Sequence, residues 1–385
     1  PMSEIVIEPV VQQSQRREFM ELPWKLYRDD PHWIPPLRQN QRELLNFEPH
    51  PFYQQNQIQS FLARRDGQVV GRVAAILNQE HIDRYKESIG FFGFFESIND
   101  SEVAQALLDG VRDWFSARGI TAVRGPANPS LNHECGLLVD GFDSPPTFMM
   151  SYNPPFYETL LTDYGYEKVE DLYAFWGHMD MLETVDPKLR FVVEESTRRF
   201  QMKLRRVEKK TFEQDVRIFL DIYNKSLEAT WGFVPIGDAE IEHMAKGLKH
   251  LVVPELTTIC EIDGRPIGAS FGMLDYNPRI KKIDGKLFPF GFLRLLWNRR
   301  AIQKCRILST NVLPEYQRWG LGLVILARLI PDLKRWGIKE VEFSWVLESN
   351  HLSRATLERG GAKKVKSFRM YDYQIPGTAA APRDS

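Results

Sequence analysis

An internal repeat limits what this chain can fold into, because the same landmarks occur in the same order in both halves. Each half contains an Asp-Gly pair between two apolar runs, at Asp66-Gly67 and at Asp263-Gly264. Such a pair is typical of a two-residue hairpin whose turn residues both adopt positive φ. Further along, Asn153 in the first half and Asn350 in the second each precede a glycine turn. The repeat therefore predicts two copies of one topology.

The spacing of apolar residues predicts the same elements in each half, in the order strand, helix, hairpin, strand, helix, strand, helix, strand. In the first half we predict strands at 5–10, 90–97 and 120–125 and helices at 13–27 and 102–118. In the second half we predict strands at 203–207, 306–313 and 340–346 and helices at 213–223 and 321–336. Pro331 removes one backbone hydrogen bond from the last of these helices, so we expect a kink or a restart there.

A chain of 385 residues is long enough for two such domains, each with its own hydrophobic core. We predict a first domain at 1–178, a linking helix at 179–201 and a second domain at 202–375. The remaining residues, 376–385, are rich in Ala and Pro and are predicted to form a disordered tail.

Composition excludes several classes of partner. The formal net charge of -1 argues against non-specific nucleic-acid binding, which needs a basic excess. Cys135, Cys260 and Cys305 lie far apart without CxxC spacing, so neither a disulfide framework nor a zinc site is predicted. The sequence starts without a signal-peptide pattern, and its most apolar run, 287–297, is shorter than the ~20 residues of a membrane span. We therefore expect a cytoplasmic protein, with neither nucleic acid nor a membrane surface as its partner.

The segment 307–322 carries the clearest chemical signal in the chain. An apolar strand ends at Pro314, and a glycine-containing loop, which we expect to face solvent, leads into the helix predicted at 321–336. Backbone N–H groups at a helix N-terminus are unpaired and carry partial positive charge, so they can bind a pyrophosphate. Gly320 and Gly322 let phosphates approach the backbone, and the Arg318 cation can pair with them.

This segment resembles the GNAT superfamily of acyl-CoA-dependent N-acyltransferases, whose fingerprint is Q/R-x-x-G-x-G/A after the fourth strand. Gln317, Gly320 and Gly322 occupy the fingerprint positions, and the Pro-Glu-Tyr at 314–316 is also typical of the family. The resemblance covers roughly residues 202–373, and the order of the elements extends it to the first half. It implies an α+β fold of two tandem GNAT-like domains, each a mixed, mostly antiparallel sheet flanked by helices.

The resemblance also implies acetyl-CoA or another acyl-CoA as the cofactor of the second domain. In the family, the strand that ends near Val312 splays from its neighbour, and its backbone binds the pantetheine arm and stabilises the oxyanion. The loop that follows binds the pyrophosphate, and a later helix is led by an Asn, here Asn350. The implied cofactor-binding residues are Val312, Gln317, Arg318, Trp319, Gly320, Leu321, Gly322 and Asn350.

The implied activity is transfer of an acyl group, with acetyl the expected one, to the amine of an unidentified small molecule or peptide. Catalysis would depend mostly on positioning, because a thioester already reacts with a neutral amine. We assign no catalytic residue: Leu357 stands where the family often has a Tyr general acid, which leaves Tyr371, Tyr373 or water as proton donors. The alternative is a non-catalytic acyl-CoA-binding or sensing protein, which Leu357 favours.

The first half lacks the glycine cradle. Ile98-Asn99-Asp100 stands in its place, and the carboxylate of Asp100 would repel a phosphate. Asn99 together with Glu102 is typical of a helix cap. We therefore predict that only the second domain binds acyl-CoA.

Three other patterns have a structural interpretation that we prefer to a functional one. Gly268-Ala269-Ser270-Phe271-Gly272 matches the nucleophile elbow of serine hydrolases, but no helix is predicted after the Ser. The histidines, His243 and His250 among them, lack a metal-ligand spacing, so no metal site is predicted. The insertion 276–304 places cations around an apolar centre at 287–292. Packing on the sheet is our first interpretation of this insertion, and an acceptor lid or a membrane-surface patch is the alternative.

Overall fold

The computed structural model describes residues 3–184 and 187–378, which form two compact units. Unit 1 contains the chain up to Asp171, the segment Arg279–Phe292 and the chain from Ser367 onward. Unit 2 contains Leu172–Pro278 and Leu293–Lys366. Neither unit is one continuous stretch, so the units differ from the ranges 1–178 and 202–375 expected from the sequence. Residues 185 and 186 of the expected linking segment and residues 379–385 of the expected tail lie outside the described residues.

The described chain contains fifteen strands and twelve α-helices. The strands are β1 Ile5–Pro9, β2 Gln57–Arg65, β3 Gln68–Leu77, β4 Ile89–Ser97, β5 Ala122–Gly125, β6 Ala127–Asn128, β7 Glu134–Cys135, β8 Leu137–Asp140, β9 Glu167–His178, β10 Lys203–Arg205, β11 Thr257–Ile262, β12 Arg265–Leu274, β13 Lys304–Val312, β14 Glu340–Leu347 and β15 Lys363–Gln374. The helices are α1 Gln13–Leu26, α2 Arg38–Leu44, α3 Gln79–Tyr85, α4 Ser101–Ser116, α5 Phe156–Tyr164, α6 Pro187–Phe200, α7 Phe212–Ser226, α8 Asp238–Leu248, α9 Asn277–Lys282, α10 Gly291–Leu296, α11 Leu321–Trp336 and α12 His351–Arg359.

Each unit has a mixed sheet in which one neighbouring pair is parallel and the rest are antiparallel. In unit 1 the strand order is β1-β2-β3-β4-β5-β15, with β4 and β5 the parallel pair. In unit 2 the order is β9-β14-β13-β12-β11-β10, with β13 and β14 the parallel pair. The predicted fold class, α+β with two copies of a mostly antiparallel sheet flanked by helices, is confirmed.

The last strand of each half passes from one unit into the other. β9 enters unit 2 at Leu172 and pairs there antiparallel with β14. β15 enters unit 1 at Ser367 and pairs there antiparallel with β5. Each sheet is therefore completed by a strand from the other half of the sequence.

Local sequence patterns explain the elements that frame the site. The Asp-Gly pair at 66–67 forms the turn of the β2–β3 hairpin, with φ of 51° at the Asp and 76° at the Gly. The pair at 263–264 forms the turn of the β11–β12 hairpin, with φ of 51° and 75°, so both turns have the positive φ that the pattern predicts. The predicted apolar stripes of α4 and α11 are both buried, which packs each helix on its sheet. Helix α11 runs without interruption through Pro331, so the restart that we considered there does not occur. Within the described chain, none of the helices combines the length and the apolar character needed to cross a bilayer.

Candidate functional site

The parallel strands β13 and β14 of unit 2 separate halfway along β13. The pairing of β13 with β14 begins at Lys304 opposite Glu340 and ends at Ile307 opposite Phe343. On its other side β13 stays paired with β12 as far as Val312. From 308 to 312, β13 therefore presents an edge that no described strand covers. The splay expected near Val312 is present.

The backbone of Val312 points into this fork. The Leu313 N–H donates to the Ile267 carbonyl at 2.8 Å, and Val312 is the register partner of Gly268. In an antiparallel pair, a residue placed in this way directs its own N–H and C=O away from the neighbouring strand. The Val312 amide is therefore oriented to donate to a molecule lying in the fork.

A glycine begins the helix that follows the fork. The chain after Val312 forms a 3-10 turn at Pro314–Trp319, and Gly320 then precedes α11 with φ of 70° and ψ of 20°. No described side chain caps this start of α11. The first amides of an uncapped helix carry partial positive charge, which suits an anionic group. Gly322 faces β13, where an added Cβ would be 3.8 Å from Thr310 Cγ2, an ordinary contact.

The side chain of Gln317 braces the loop instead of pointing away from it. Its Nε2 donates to the Val312 carbonyl at 3.0 Å and to the Ser226 carbonyl at 3.3 Å, at the end of α7. The amide therefore connects the mouth of the fork to the helix on one face of the sheet. Any part that Gln317 takes in binding a pyrophosphate has to come from its backbone.

Helix α6 packs on the opposite side of the loop, so the expectation that the loop faces solvent holds for Gln317 and Arg318, which are exposed, but not for Gly320, which lies against α6. The Ser196 hydroxyl donates to the Trp319 carbonyl at 2.6 Å, and the Phe200 and Trp319 rings lie 5.7 Å apart. A Cβ on Gly320 would be 2.5 Å from Val192 Cγ1. The glycine at this position is thus required by contact with α6 as well as by its positive φ.

The other predicted cofactor residues occupy different settings. The Leu321 side chain is fully buried in the core, so only its backbone lies at the helix start. The guanidinium of Arg318 lies over the Trp319 ring at 4.8 Å. Asn350 accepts a hydrogen bond from the Ser353 N–H at 3.1 Å and so caps α12. Binding of a cofactor by these residues stays a prediction.

A buried polar network marks the point where the two strands separate, and the sequence reasoning missed it. Arg306 donates from Nε to the Ser344 hydroxyl and from Nη2 to the Ser344 carbonyl, both at 2.8 Å. The Ser344 hydroxyl donates in turn to Glu342 Oε2 at 2.7 Å. All three side chains are almost fully buried. Arg306 and Glu342 are opposite charges on two neighbouring strands, and they are register partners. These two charges in the sequence were the signal that could have revealed the network.

The residues considered for proton transfer are divided between the two units. Tyr371 and Tyr373 lie on the part of β15 that belongs to unit 1, so neither is in the unit that carries the fork. Leu357 lies on α12 of unit 2 and brings no proton donor there. Glu261 of unit 2 is a carboxylate that we considered as a general base, but it is paired with Arg205 at 3.2 Å. No side chain can be assigned to proton transfer from this arrangement.

In unit 1 the corresponding fork is filled by the unit's own side chains. Ser97 is the register partner of Gly71, and the Ile98 N–H donates to the Val70 carbonyl, so the Ser97 amide is oriented as that of Val312 is. This amide donates to the Tyr157 hydroxyl at 2.9 Å. The Tyr157 hydroxyl donates to Glu96 at 2.6 Å, and burial raises the pKa of that carboxyl group although a nearby arginine opposes the shift.

The helix start of unit 1 is also closed. Asp100 caps α4 by accepting from the Glu102 N–H at 2.9 Å, so the cap is Asp100 and not the Asn99 expected from the sequence. Arg65 donates to the same carboxylate at 2.8 Å and lowers its pKa. A carboxylate thus occupies the position that an anionic ligand would need. The prediction that unit 1 has no such site agrees with this geometry.

The structure contradicts the nucleophile-elbow interpretation of residues 268–272. Ser270 lies in the middle of β12, and its hydroxyl lies 2.9 Å from that of Thr310 on the neighbouring strand. An elbow needs a sharp turn and a helix directly after the Ser. Ser270 is therefore a cross-strand packing residue.

Comparison with known proteins agrees with this geometry. The family model described as Acetyltransferase (GNAT) family matches residues 217–361. A protein from Escherichia coli (strain K12), Protein YghO, is 33% identical over 376 residues, covering 96% of this chain and 95% of its own. The Bacterial ceramide synthase of Caulobacter vibrioides is 31% identical over 383 residues, covering 96% of this chain and 97% of its own. The chain belongs to the GNAT acetyltransferase family.

A solved structure is similar over the whole chain. It is a tandem GNAT protein from the clavulanic acid biosynthesis pathway, with a TM-score of 0.57 and 14% identity, covering 98% of this chain and all of the other. At this identity the likeness concerns the fold alone. It agrees with a tandem arrangement of GNAT domains.

Proposed function

We propose that this protein is an acyl-CoA-dependent N-acyltransferase whose acyl-CoA binds to unit 2. The observation that carries the proposal is the fork between β13 and β14, where the Val312 amide points into the gap ahead of an uncapped helix start. The same two positions in unit 1 are occupied by Tyr157 and Asp100, which gives an internal comparison for a closed site. The fork suits an extended thioester arm, and the helix start suits a diphosphate.

The reaction proposed here moves one acyl group. The nitrogen of a neutral amine attacks the thioester carbonyl carbon, the C–S bond breaks, the nitrogen loses a proton and the leaving sulfur gains one. The Val312 N–H would donate to the carbonyl oxygen as it becomes negatively charged. The rest of the site would contribute by holding the two reactants in contact, which supplies much of the acceleration in such transfers.

The acceptor that we propose is a long-chain lipid amine. A ceramide is the amide of a fatty acid and a long-chain amino alcohol, and a relative named Bacterial ceramide synthase matches this chain over 96% of its length. That similarity favours a fatty acyl group over the acetyl group expected from the sequence. It also favours a lipid amine over a water-soluble small molecule or peptide.

A carboxylate introduced at the start of α11 should weaken the binding of acyl-CoA without destabilising the fold. Gly322 is the second residue of α11, and a Cβ there makes only ordinary contacts. An acidic residue in a first turn stabilises a helix by about 0.3–1 kcal/mol, but it would repel a diphosphate. For Gly322→Asp we therefore expect an unchanged or higher melting temperature without ligand and no stabilisation by acyl-CoA.

The matched measurements use thermal unfolding with and without acetyl-CoA or palmitoyl-CoA. A ligand at one hundred times its Kd stabilises the wild type by about 2.7 kcal/mol, which for a domain of this size raises Tm by roughly 5–10 °C. Gly322→Ala adds a methyl group without charge and should keep most of this shift. If Gly322→Asp is stabilised as much as the wild type, the helix start does not bind the cofactor.

Release of CoA distinguishes an enzyme from a binding protein, the alternative that Leu357 favours. The three cysteines are buried, and burial raises the pKa of Cys260 and of Cys305 to about 12, so the protein's own thiols should react slowly with a thiol reagent. We expect CoA release from palmitoyl-CoA only when a long-chain amino alcohol is added. Stabilisation by acyl-CoA without CoA release for any amine would favour the binding protein.

A further inference from the structure

The insertion between β12 and β13 has a buried side that fixes it in place. Its residues Ile280, Ile283 and Leu295 are 3%, 8% and 1% exposed. Asp284 accepts from Trp24 Nε1 at 2.6 Å and from Arg38 Nη2 at 3.0 Å. The segment is thus anchored, and exposure elsewhere along it does not come from loose packing.

Four large apolar side chains of the same segment point into solvent. We call the two that belong to unit 1 the apolar tip: Phe288 and Phe290, which are 76% and 65% exposed. Leu293 and Trp297, which follow in unit 2, are 65% and 80% exposed, so three of the four strongly exposed aromatic side chains in the described chain lie within ten consecutive residues. Single exposed apolar residues are common on proteins, but a cluster of this kind marks an interaction surface. The first interpretation of the insertion, packing on the sheet, therefore holds for its buried side only.

The segment that carries the apolar tip is rich in cations. Residues 276–304 contain eight Lys and Arg and one Asp, whereas the whole chain has a formal net charge of -1. Lys282, Lys286 and Arg294 are exposed. This segment is therefore strongly basic on a protein that is otherwise slightly acidic. A segment that exposes both aromatic side chains and cations complements an anionic bilayer, in which the aromatic rings enter the interface and the cations meet the headgroups.

We propose that the apolar tip and its cations dock this protein on the surface of a membrane that contains anionic lipid. The charge of the segment favours this partner, because a protein surface would have to supply an acidic face of the same extent. Docking does not depend on the proposed function. The benefit of docking does depend on the proposed function: if the acceptor is a lipid amine, docking brings the enzyme to a substrate that stays in the bilayer.

Sedimentation with vesicles tests the proposal on the full-length protein. The vesicles are phosphatidylcholine alone, or phosphatidylcholine with about one third phosphatidylglycerol. We expect binding to the anionic vesicles and much weaker binding to the neutral ones, with a loss of binding at high salt. Phe288→Ser together with Phe290→Ser should weaken binding by about tenfold or more, because two side chains no longer enter the interface.

A charge variant and two controls complete the test. Lys282→Gln with Arg294→Gln should weaken binding about 30-fold at low salt, because each cation near an anionic surface contributes about a fivefold gain. Lys209→Gln with Lys210→Gln removes the same charge from exposed positions elsewhere and should leave binding within about twofold of the wild type. Val11→Ser removes an apolar side chain that is 68% exposed outside the segment and should also have little effect.

Several results would overturn the proposal. If the wild type fails to bind anionic vesicles, or if the apolar variant binds as well as the wild type, the segment is not a membrane anchor. A wild-type dimer in light scattering that the apolar variant dissociates would make the tip an interface between two copies instead. Stabilisation by acyl-CoA, measured without lipid, tests the proposed function separately, so either proposal can fail alone.

Discussion

Replacement of Gly320 by Ala should destabilise the protein even without any ligand. Gly320 has a φ of 70°, and a Cβ there would lie 2.5 Å from Val192 Cγ1 of α6. A left-handed conformation costs a residue other than glycine about 1–2 kcal/mol. Relief of the contact by movement of α6 adds about 1–2 kcal/mol, as overpacking does elsewhere. We therefore expect a loss of about 2–4 kcal/mol.

A double-mutant cycle separates the two contributions. Val192→Ala makes room beside position 320, so that in this background Gly320→Ala should cost only the conformational part, about 1–2 kcal/mol. Val193→Ala, at the next residue of the same helix, is the matched control and should add to Gly320→Ala without coupling.

Thermal unfolding followed by circular dichroism gives the measurement. The single variant Gly320→Ala should lower Tm by roughly 5–15 °C, from about 2–4 °C per kcal/mol for a domain of this size. A melting temperature equal to that of the wild type would refute the reasoning about position 320. Strict additivity with Val192→Ala would show that α6 does not contact the loop in solution.

Two further predictions concern buried charges in unit 2. Arg306→Ala should cost about 3–5 kcal/mol, because it removes the two charge-assisted hydrogen bonds to the buried Ser344, and a denaturant titration would detect this as a lower midpoint at unchanged slope. A midpoint close to that of the wild type would mean that the network does not hold the fork. Burial raises the pKa of Asp332, but hydrogen bonds from Arg206 and Arg335 outweigh this and lower it. The pKa of Asp332 is lower in the folded protein than in the unfolded chain. The stabilisation is therefore present above the ordinary pKa of an Asp and is lost as the pH falls through the pKa of Asp332 in the folded protein. Asp332→Asn should therefore lose about 1.5–3 kcal/mol at neutral pH, with the difference in Tm from the wild type shrinking below about pH 4. A constant difference across this range would contradict the ionic origin.

Local features of this fold could be predicted because neighbouring residues determine them. An Asp-Gly pair favours positive φ at both positions whatever surrounds it, which is why both hairpins were found. The stripes of α4 and α11 follow from a period of 3.6 residues, and the bounds of α11 match the prediction at both ends. The splay near Val312 came from the family resemblance and not from any local pattern.

Contacts between distant segments could not be predicted in the same way. The packing of α6 on the loop joins Val192 to Gly320, and nothing in either stretch indicates the other. The cap of α4 was misplaced by one residue because Asn99 and Asp100 are both good caps, and the ion pair with Arg65 was not visible from the sequence. The exchange of the last strands was missed for a related reason: β9 and β15 are patterned as ordinary final strands, and pattern alone does not specify a partner.

The passage of the two final strands between units has a consequence for biosynthesis. Unit 1 contains most of the first half of the chain, but the edge of β5 that faces away from β4 is paired only when the stretch from Ser367 has left the ribosome. An unpaired strand edge is prone to associate with other chains, so a nascent or truncated N-terminal half exposes a site for aggregation until translation ends. A fragment that ends between the two halves would lack β15 for unit 1, and a fragment that begins there would lack β9 for unit 2.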